Sequence, residues 1–305
     1  MKETFLTFIL IALVSAPMLS AGVAQAVDAV EVYPSENPEV AVDTDWLAAH
    51  LAEDGLIVID FRKSRRAYLK MHVPGAIHIG RDAVLGRVDG VPYMLTPVEE
   101  LIPLLGKSGI ANEKTVIVYD EGNGLWAARF FWTLEYLGHA DVRVLNGGWK
   151  KWQYEELPTS SGSEQPETAV FEPRIYGDRI VDMEWLINHF ADDGVFVMDV
   201  RSPAEYEGTD VQALRTGHVP EAENKDWVNA VTTGPINVLK SQDKLKEIYS
   251  HLPLSEAEKI VTYCHWGVRA AHTYFTLRYL GYENVRVYDG SWIEWGNKFF
   301  TPIEK

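Results

Sequence analysis

Short apolar runs alternate with helix-like patterns along most of the chain. In the second half, Trp185, Leu186 and Phe190 are spaced to share one face of a helix. The pattern there predicts, in order, a helix at 182–193, a strand at 195–198, a helix at 242–251, a strand at 259–263, a helix at 269–280 and a strand at 284–287. The strand runs are apolar without alternation, which is typical of a parallel sheet covered on both faces. The predicted fold class is therefore α/β, with a mainly parallel sheet flanked by helices.

The chain repeats itself in tandem. The segment VIDFR at 58–62 returns as VMDVR at 197–201, 139 residues later. Three further blocks recur in the same order at offsets of 143 to 146 residues: HVPGA at 72–76 as HVPEA, AARFFWTL at 127–134 as AAHTYFTL, and GGWKKW at 147–152 as GSWIEW. We therefore expect two similar domains, at 27–157 and 177–305. The Ser- and Pro-rich segment 158–176 is predicted to link them.

The first 26 residues have the pattern of a secretory signal peptide. The apolar run at 5–14 is too short to span a bilayer comfortably, and Ala24-Gln25-Ala26 supplies a cleavage site. An uncleaved anchor or a buried N-terminal helix is the alternative. We expect an exported protein, periplasmic if the host is Gram-negative, whose mature form is not in the membrane.

Composition excludes several classes of function. The 305 residues include 28 Lys and Arg against 44 Asp and Glu, a formal net charge of −16, which repels nucleic acid. A single cysteine, Cys264, excludes an intramolecular disulfide and a multi-thiolate metal site. No metal-ligand spacing, dinucleotide glycine motif or Walker loop is found, so no cofactor is predicted.

Cys264 follows a predicted strand and precedes a predicted helix. Backbone N–H groups and the positive end of a helix dipole at such a place favour the thiolate over the thiol. Gly267 lets the loop curl and Arg269 adds a fixed cation, with His265, Trp266 and Val268 completing the active-site loop. The alternative is a buried, inert thiol. We favour a reactive cysteine, with Cys264 as nucleophile and Arg269 as the loop cation.

The size of the loop favours sulfur chemistry. Cysteine phosphatases hold a tetrahedral oxyanion with five residues between cysteine and arginine, whereas four separate Cys264 from Arg269. A loop that is one residue shorter is better suited to one extra sulfur atom, and so predicts a persulfide. A phosphatase or an arsenate reductase is a less favoured alternative.

These motifs together resemble those of the tandem-domain rhodaneses, the thiosulfate and mercaptopyruvate sulfurtransferases. The resemblance covers roughly 40–300 and includes the Asp-x-Arg and His-Val-Pro blocks, the cysteine loop and the YDGSWIEW segment at 288–295. It implies a Cys264 persulfide that carries sulfur from a small donor to cyanide or a thiol, or to a protein acceptor. It also implies that only the second domain is catalytic, because Asp120 replaces the cysteine in the first.

Two residues depart from the thiosulfate-specific pattern of that family. Trp266 stands where those enzymes carry a cation, and Glu205 stands where they carry an arginine. The mercaptopyruvate pattern, a Gly-Ser pair after the cysteine, is also absent. Two alternatives therefore stay open: a persulfide carrier or sensor with little turnover, and an enzyme that uses mercaptopyruvate as its donor. The candidate anion- or substrate-binding residues are Arg201, Arg215 and His72.

Other residues have competing structural interpretations. His265 is expected either to lower the pKa of the thiol or to lie on the rim of the loop. Trp266 is expected to line the pocket or dock a partner, or to pack against the other domain. Arg201 binds an anion or pairs with Asp199, while Arg62 is expected to pair with Asp60. Arg129 is expected on a helix that faces solvent or the linker.

Overall fold

A computed structural model describes residues 36–37 and 39–305 of the chain. The predicted signal peptide, 1–26, lies outside the described residues. In the part of the chain that is described, no helix is both long and apolar enough to cross a membrane.

The first half contains a five-stranded parallel sheet with the order β1-β7-β6-β2-β3. Its strands are β1 (Ala41–Val42), β2 (Leu56–Asp60), β3 (Ile77–His78), β6 (Thr115–Tyr119) and β7 (Val142–Leu145). An antiparallel hairpin of β4 (Leu85–Val88) and β5 (Val91–Leu95) stands apart from the sheet. The helices are α1 (Thr44–His50), α2 (Arg65–Lys70), α3 (Val98–Lys107), α4 (Leu125–Tyr136) and α5 (Gly148–Tyr154).

The second half repeats this sheet with the order β8-β12-β11-β9-β10, again parallel. Its strands are β8 (Ile180–Val181), β9 (Val195–Asp199), β10 (Glu223–Asn224), β11 (Lys259–Tyr263) and β12 (Val285–Tyr288). Its helices are α6 (Met183–His189), α7 (Pro203–Tyr206), α8 (Gln242–Tyr249), α9 (Val268–Tyr279) and α10 (Ser291–Trp295). The α/β fold class and the duplication are confirmed.

Three single turns of 3-10 helix lie between these elements, at Arg81–Val84, Gly177–Arg179 and Trp227–Ala230. The predicted elements of the second half agree with the structure to within one or two residues, except that α6 ends at His189 instead of residue 193. After His189 the backbone forms hydrogen-bonded turns instead of continuing the helix, and Gly194 in these turns has φ +82°. The segment 158–176 has no helix or regular strand, and the exact domain bounds stay a prediction.

The two halves share one hydrophobic core, at whose centre α4 packs against α9. Phe131 and Phe275 meet there edge to face with ring centroids 5.4 Å apart. The start of each helix lies beside the other helix or its loop: Gly124 is next to His272 of α9, and Trp126 of α4 meets Trp266 of the cysteine loop.

Candidate functional site

Cys264 directly follows β11 and is fully buried. Its backbone N–H and that of Gly267 both donate to Ser291 Oγ, at 3.2 and 3.1 Å. The Cys264 carbonyl accepts from Trp292 N at 2.9 Å. The first two residues of α10 therefore hold the cysteine loop in place through these hydrogen bonds.

Gly267 ends the loop at φ +81°, directly before the twelve-residue helix α9. This left-handed conformation favours glycine. A Cβ at this place would also lie 2.7 Å from Asp289 Oδ1, so the space admits no side chain. The tight turn directs the helix start, with its partial positive charge, towards the cysteine.

Arg269 lies in the first turn of α9 and forms a two-pronged ion pair with Glu205, with both N–O distances 2.7 Å. Burial opposes the charge on Arg269, but Glu205 and the Cys264 sulfur raise its pKa above the ordinary value. Burial likewise raises the pKa of Glu205, but the bonds from Arg269 outweigh it and lower that pKa to about 2. The Arg269 cation thus lies beside the sulfur, but it is already paired with a carboxylate.

His265 is half-buried, and its Nδ1 has no hydrogen-bond partner within the described residues. Burial, followed by the charge of Arg269, lowers its pKa below the usual 6.5. The imidazole is therefore neutral at pH 7, and is not a cation that stabilises the thiolate.

Trp266 packs against the first half of the chain. Its ring meets Tyr93 of the β4–β5 hairpin with centroids 4.3 Å apart, and Trp126 of α4 at 6.2 Å, both edge to face. Tyr93 holds a backbone φ of +66°, which is rare for an aromatic residue. Aromatic rings from the cysteine-free half therefore border the loop, and Trp266 packs against the other domain.

The three substrate-binding candidates lie in structural roles. Arg201 is 1% exposed and donates to Asp199 and to the Gly217 carbonyl, so it has no open face for an anion. Arg215 donates to carbonyl groups of the C-terminal segment, among them Thr301 O at 2.8 Å. The structure corrects both anion-binding predictions, since these guanidinium groups already bond to the protein.

His72 is fully buried in the first half, stacked on Tyr68 with ring centroids 4.2 Å apart. Its backbone N–H donates to Ser160 in the linker segment. The same arrangement recurs in the second half, where His218 stacks on Tyr206 at 3.7 Å. His72 therefore joins the linker segment to α2 of the first half. Arg62 pairs with Asp60 as expected, at 2.6 Å.

The expectation for Arg129 is wrong. The residue is fully buried and pairs with Asp289 of the second half at 2.6 Å, beneath the cysteine loop. Sequence reasoning also passed over Asp289 and Ser291. Their signal was present, since two polar residues stand between a strand and a helix start in the YDGSWIEW segment.

No group of three or more potential metal-ligating side chains occurs among the described residues. A family model described as a rhodanese-like domain matches the chain twice, at residues 43–155 and 182–298. The chain belongs to the rhodanese family. Its two halves are therefore both rhodanese-like domains, and the second carries the cysteine.

Named relatives of this rhodanese cover most of its length. A sulfur carrier protein of Thermus thermophilus is 38% identical over 285 residues, which span 88% of this chain and 98% of that protein. A thiosulfate sulfurtransferase of Corynebacterium glutamicum is 38% identical over 280 residues, 88% of this chain and 91% of that protein.

Solved structures agree with the fold. SseA from Escherichia coli, described as a 3-mercaptopyruvate sulfotransferase, superposes with a TM-score of 0.73 at 30% identity, over 83% of this chain and 98% of its own. An anaerobic ergothioneine biosynthesis enzyme from Chlorobium limicola reaches 0.79 over 91% of this chain and 73% of its own. At 22% identity, that second likeness concerns the fold alone.

Proposed function

We propose that this protein is a thiosulfate sulfurtransferase-like enzyme that acts through a persulfide on Cys264. The thiolate attacks the outer sulfur of thiosulfate, an S–S bond forms to the cysteine, and the S–S bond of the donor breaks to release sulfite. Cyanide or a thiolate then attacks the outer sulfur of the persulfide, which forms thiocyanate or a new persulfide and returns the Cys264 thiolate. The covalent intermediate divides one transfer into two easier steps.

The observation that carries this proposal is the position of Cys264 in the fold. The residue is buried at the carboxyl end of a central strand, before the N-terminus of a twelve-residue helix and beside the half-buried cation of Arg269. Helix dipole and guanidinium both favour an anionic sulfur. The loop is one residue shorter than a phosphate-binding cysteine loop, which favours a single sulfur atom over a tetrahedral anion.

A sulfur carrier is the second candidate function. The relative from Thermus thermophilus is named a sulfur carrier protein. In this chain, Glu205 neutralises the loop cation, and an aromatic ring stands at Trp266. A site with so little free positive charge would load slowly from a small dianion, and would suit transfer to and from proteins.

Intact mass spectrometry of the protein after incubation with thiosulfate, mercaptopyruvate or polysulfide, followed by cyanide, tests both candidates. We expect a gain of one sulfur atom on Cys264 with thiosulfate and its discharge by cyanide. Loading from polysulfide alone, with slow discharge, supports the carrier. A protein that gains no sulfur from any donor contradicts both.

We also propose that the protein is exported, with residues 1–26 as a cleaved signal and a periplasmic location in a Gram-negative host. The apolar run at 5–14 and the Ala24-Gln25-Ala26 site support this. Cell fractionation followed by N-terminal sequencing tests it, with Val27 as the expected first residue. A cytoplasmic protein that retains Met1 contradicts the proposal.

A further inference from the structure

Arg129 of α4 lies against the cysteine loop, although it belongs to the half without a cysteine. Its Nη1 donates to Asp289 Oδ1 at 2.6 Å and would be 2.8 Å from a Cβ on Gly267. The side chain is fully buried on the ring of Trp132, and its Nε and Nη2 have no hydrogen-bond partner within the described residues. A buried guanidinium with unsatisfied N–H groups is costly, so its presence here calls for a function.

Asp289 extends this contact in two directions. Its Oδ2 accepts from the backbone N–H of Leu95 at 2.6 Å, at the end of the hairpin that carries Tyr93. Two residues further along the chain, Ser291 holds the backbone N–H groups of Cys264 and Gly267. The carboxylate therefore connects the first half to the residues that fix the cysteine.

The duplication supplies an internal comparison. At an offset of 143 residues, Asp289 corresponds to Asn146 and Arg129 to His272. Asn146 Oδ1 accepts from Leu239 N at 2.8 Å, as Asp289 does from Leu95. Burial lowers the pKa of His272 to about 4, so that imidazole is neutral. The hydrogen bond is thus common to both sides of the interface, but the ion pair occurs only under the loop with the cysteine.

We propose that Arg129 is a positioning residue for sulfur transfer, which fixes the catalytic loop through Asp289 and couples it to the first half. This inference rests on the proposed function of Cys264. A fixed ion pair behind Gly267 keeps the cysteine loop in one position while the charge on the Cys264 sulfur changes between thiolate, persulfide and thiolate. Interactions that are organised before reaction need no rearrangement during it. The cysteine-free half is then a working part of the active site.

The test compares four variants of the full chain. R129M leaves a buried, unpaired carboxylate and is expected to unfold more easily, so R129M/D289N removes both charges together. R129K restores a cation opposite Asp289. N146A breaks the equivalent hydrogen bond on the other side of the interface and is the control. The measurements are single-turnover loading of Cys264 at saturating thiosulfate and the midpoint of thermal unfolding.

We expect R129M/D289N to fold and to load roughly 10- to 100-fold more slowly than the wild type, the size of effect that a misplacement of about 1 Å produces. R129K should recover a large part of this rate, and N146A should load at the wild-type rate. A double variant that loads like the wild type, or that loses no more rate than N146A, overturns the inference while the proposed function stands. A wild-type protein that never loads Cys264 overturns both.

Discussion

Asp120 lies directly after β6 at the place where Cys264 lies directly after β11. The Asp120 carboxylate accepts from the backbone N–H groups of its own loop and helix, at 2.8 Å from Gly122 and 2.9 Å from Trp126. It further accepts from Gly124 and Ala127 at 3.1 and 3.3 Å. The anion-binding start of α4 is therefore permanently filled by a side chain, whereas the start of α9 lies beside the Cys264 sulfur.

Separate substitutions of Cys264 and Asp120 distinguish the roles of the two residues. We expect Cys264→Ser to abolish sulfur transfer with the fold intact, because a hydroxyl cannot form a persulfide. We expect Asp120→Ala to retain transfer but to lose about 1–3 kcal/mol of stability, since buried N–H groups lose their acceptor. Cyanide-dependent turnover and denaturant unfolding measure the two effects. Transfer that persists in the serine variant rules out the mechanism.

Gly267→Ala should slow the loading of Cys264. The left-handed backbone strains any other residue by about 1–3 kcal/mol, and the added Cβ would also lie 2.7 Å from Asp289 Oδ1. Gly281→Ala is the matched control, since Gly281 has φ +93° and open space around the added atom. Both variants lose stability, but only the change at Gly267 should slow Cys264 loading. Equal loading rates in the two variants would show that the close contact is unimportant.

Glu205→Gln should free the cation of Arg269 for an anionic donor. One charge-assisted hydrogen bond contributes about 1.5–3 kcal/mol, so KM for thiosulfate should fall roughly tenfold or more. Steady-state kinetics with thiosulfate measure this change in KM. A sulfur donor without charge is the reference, because its KM should not depend on the free charge of Arg269. An unchanged KM would mean that Arg269 does not contact the donor.

The same carboxylate gives a pH dependence of stability. Its pKa is lowered from 4.5 to about 2 in the fold, so its contribution is complete above pH 4.5 and disappears as the pH falls towards 2. Between those values, the wild type should lose unfolding free energy relative to E205Q. Denaturant titrations at several pH values test this, and parallel curves would contradict it.

His265→Asn should leave the pH dependence of Cys264 loading unchanged between pH 7 and 9. Burial and Arg269 hold the pKa of His265 below 6.5, so the ring is already neutral in this range. The backbone bond from Ile293 N to the His265 carbonyl, at 2.8 Å, is retained in the variant. Stopped-flow loading with thiosulfate at each pH measures the profile. A profile displaced to higher pH would show that a protonated His265 assists the thiolate.

Much of the fold was readable from local sequence. The strand predicted at 259–263 and the helix at 269–280 match β11 and α9 closely, because apolar periodicity is a property of neighbouring residues. Cys264 and Gly267 were identified in the same way, since the strand–loop–helix context lies within a few residues of each.

The charged residues were less readable. Arg215 has the residue type of an anion binder, yet it donates to carbonyl groups as far as 86 residues away in sequence. The pairing of Arg201 with Asp199, two residues away, was one of its two sequence interpretations. The pairing of Arg269 with Glu205 spans 64 residues. A side chain's free charge depends on what folding brings beside it, and one sequence without its fold does not show this.

By itself, the sequence determined the duplication and the α/β class and singled out Cys264 as the candidate nucleophile, because repeats, periodicity and a lone thiol are all local features. Only the tertiary structure decided that Arg129 lies under Gly267 and that Tyr93 packs on Trp266. The physical reason is that folding packs the two domains against each other and so determines which charged residues, distant in sequence, become neighbours. These neighbours set the electrostatic environment of the cysteine loop.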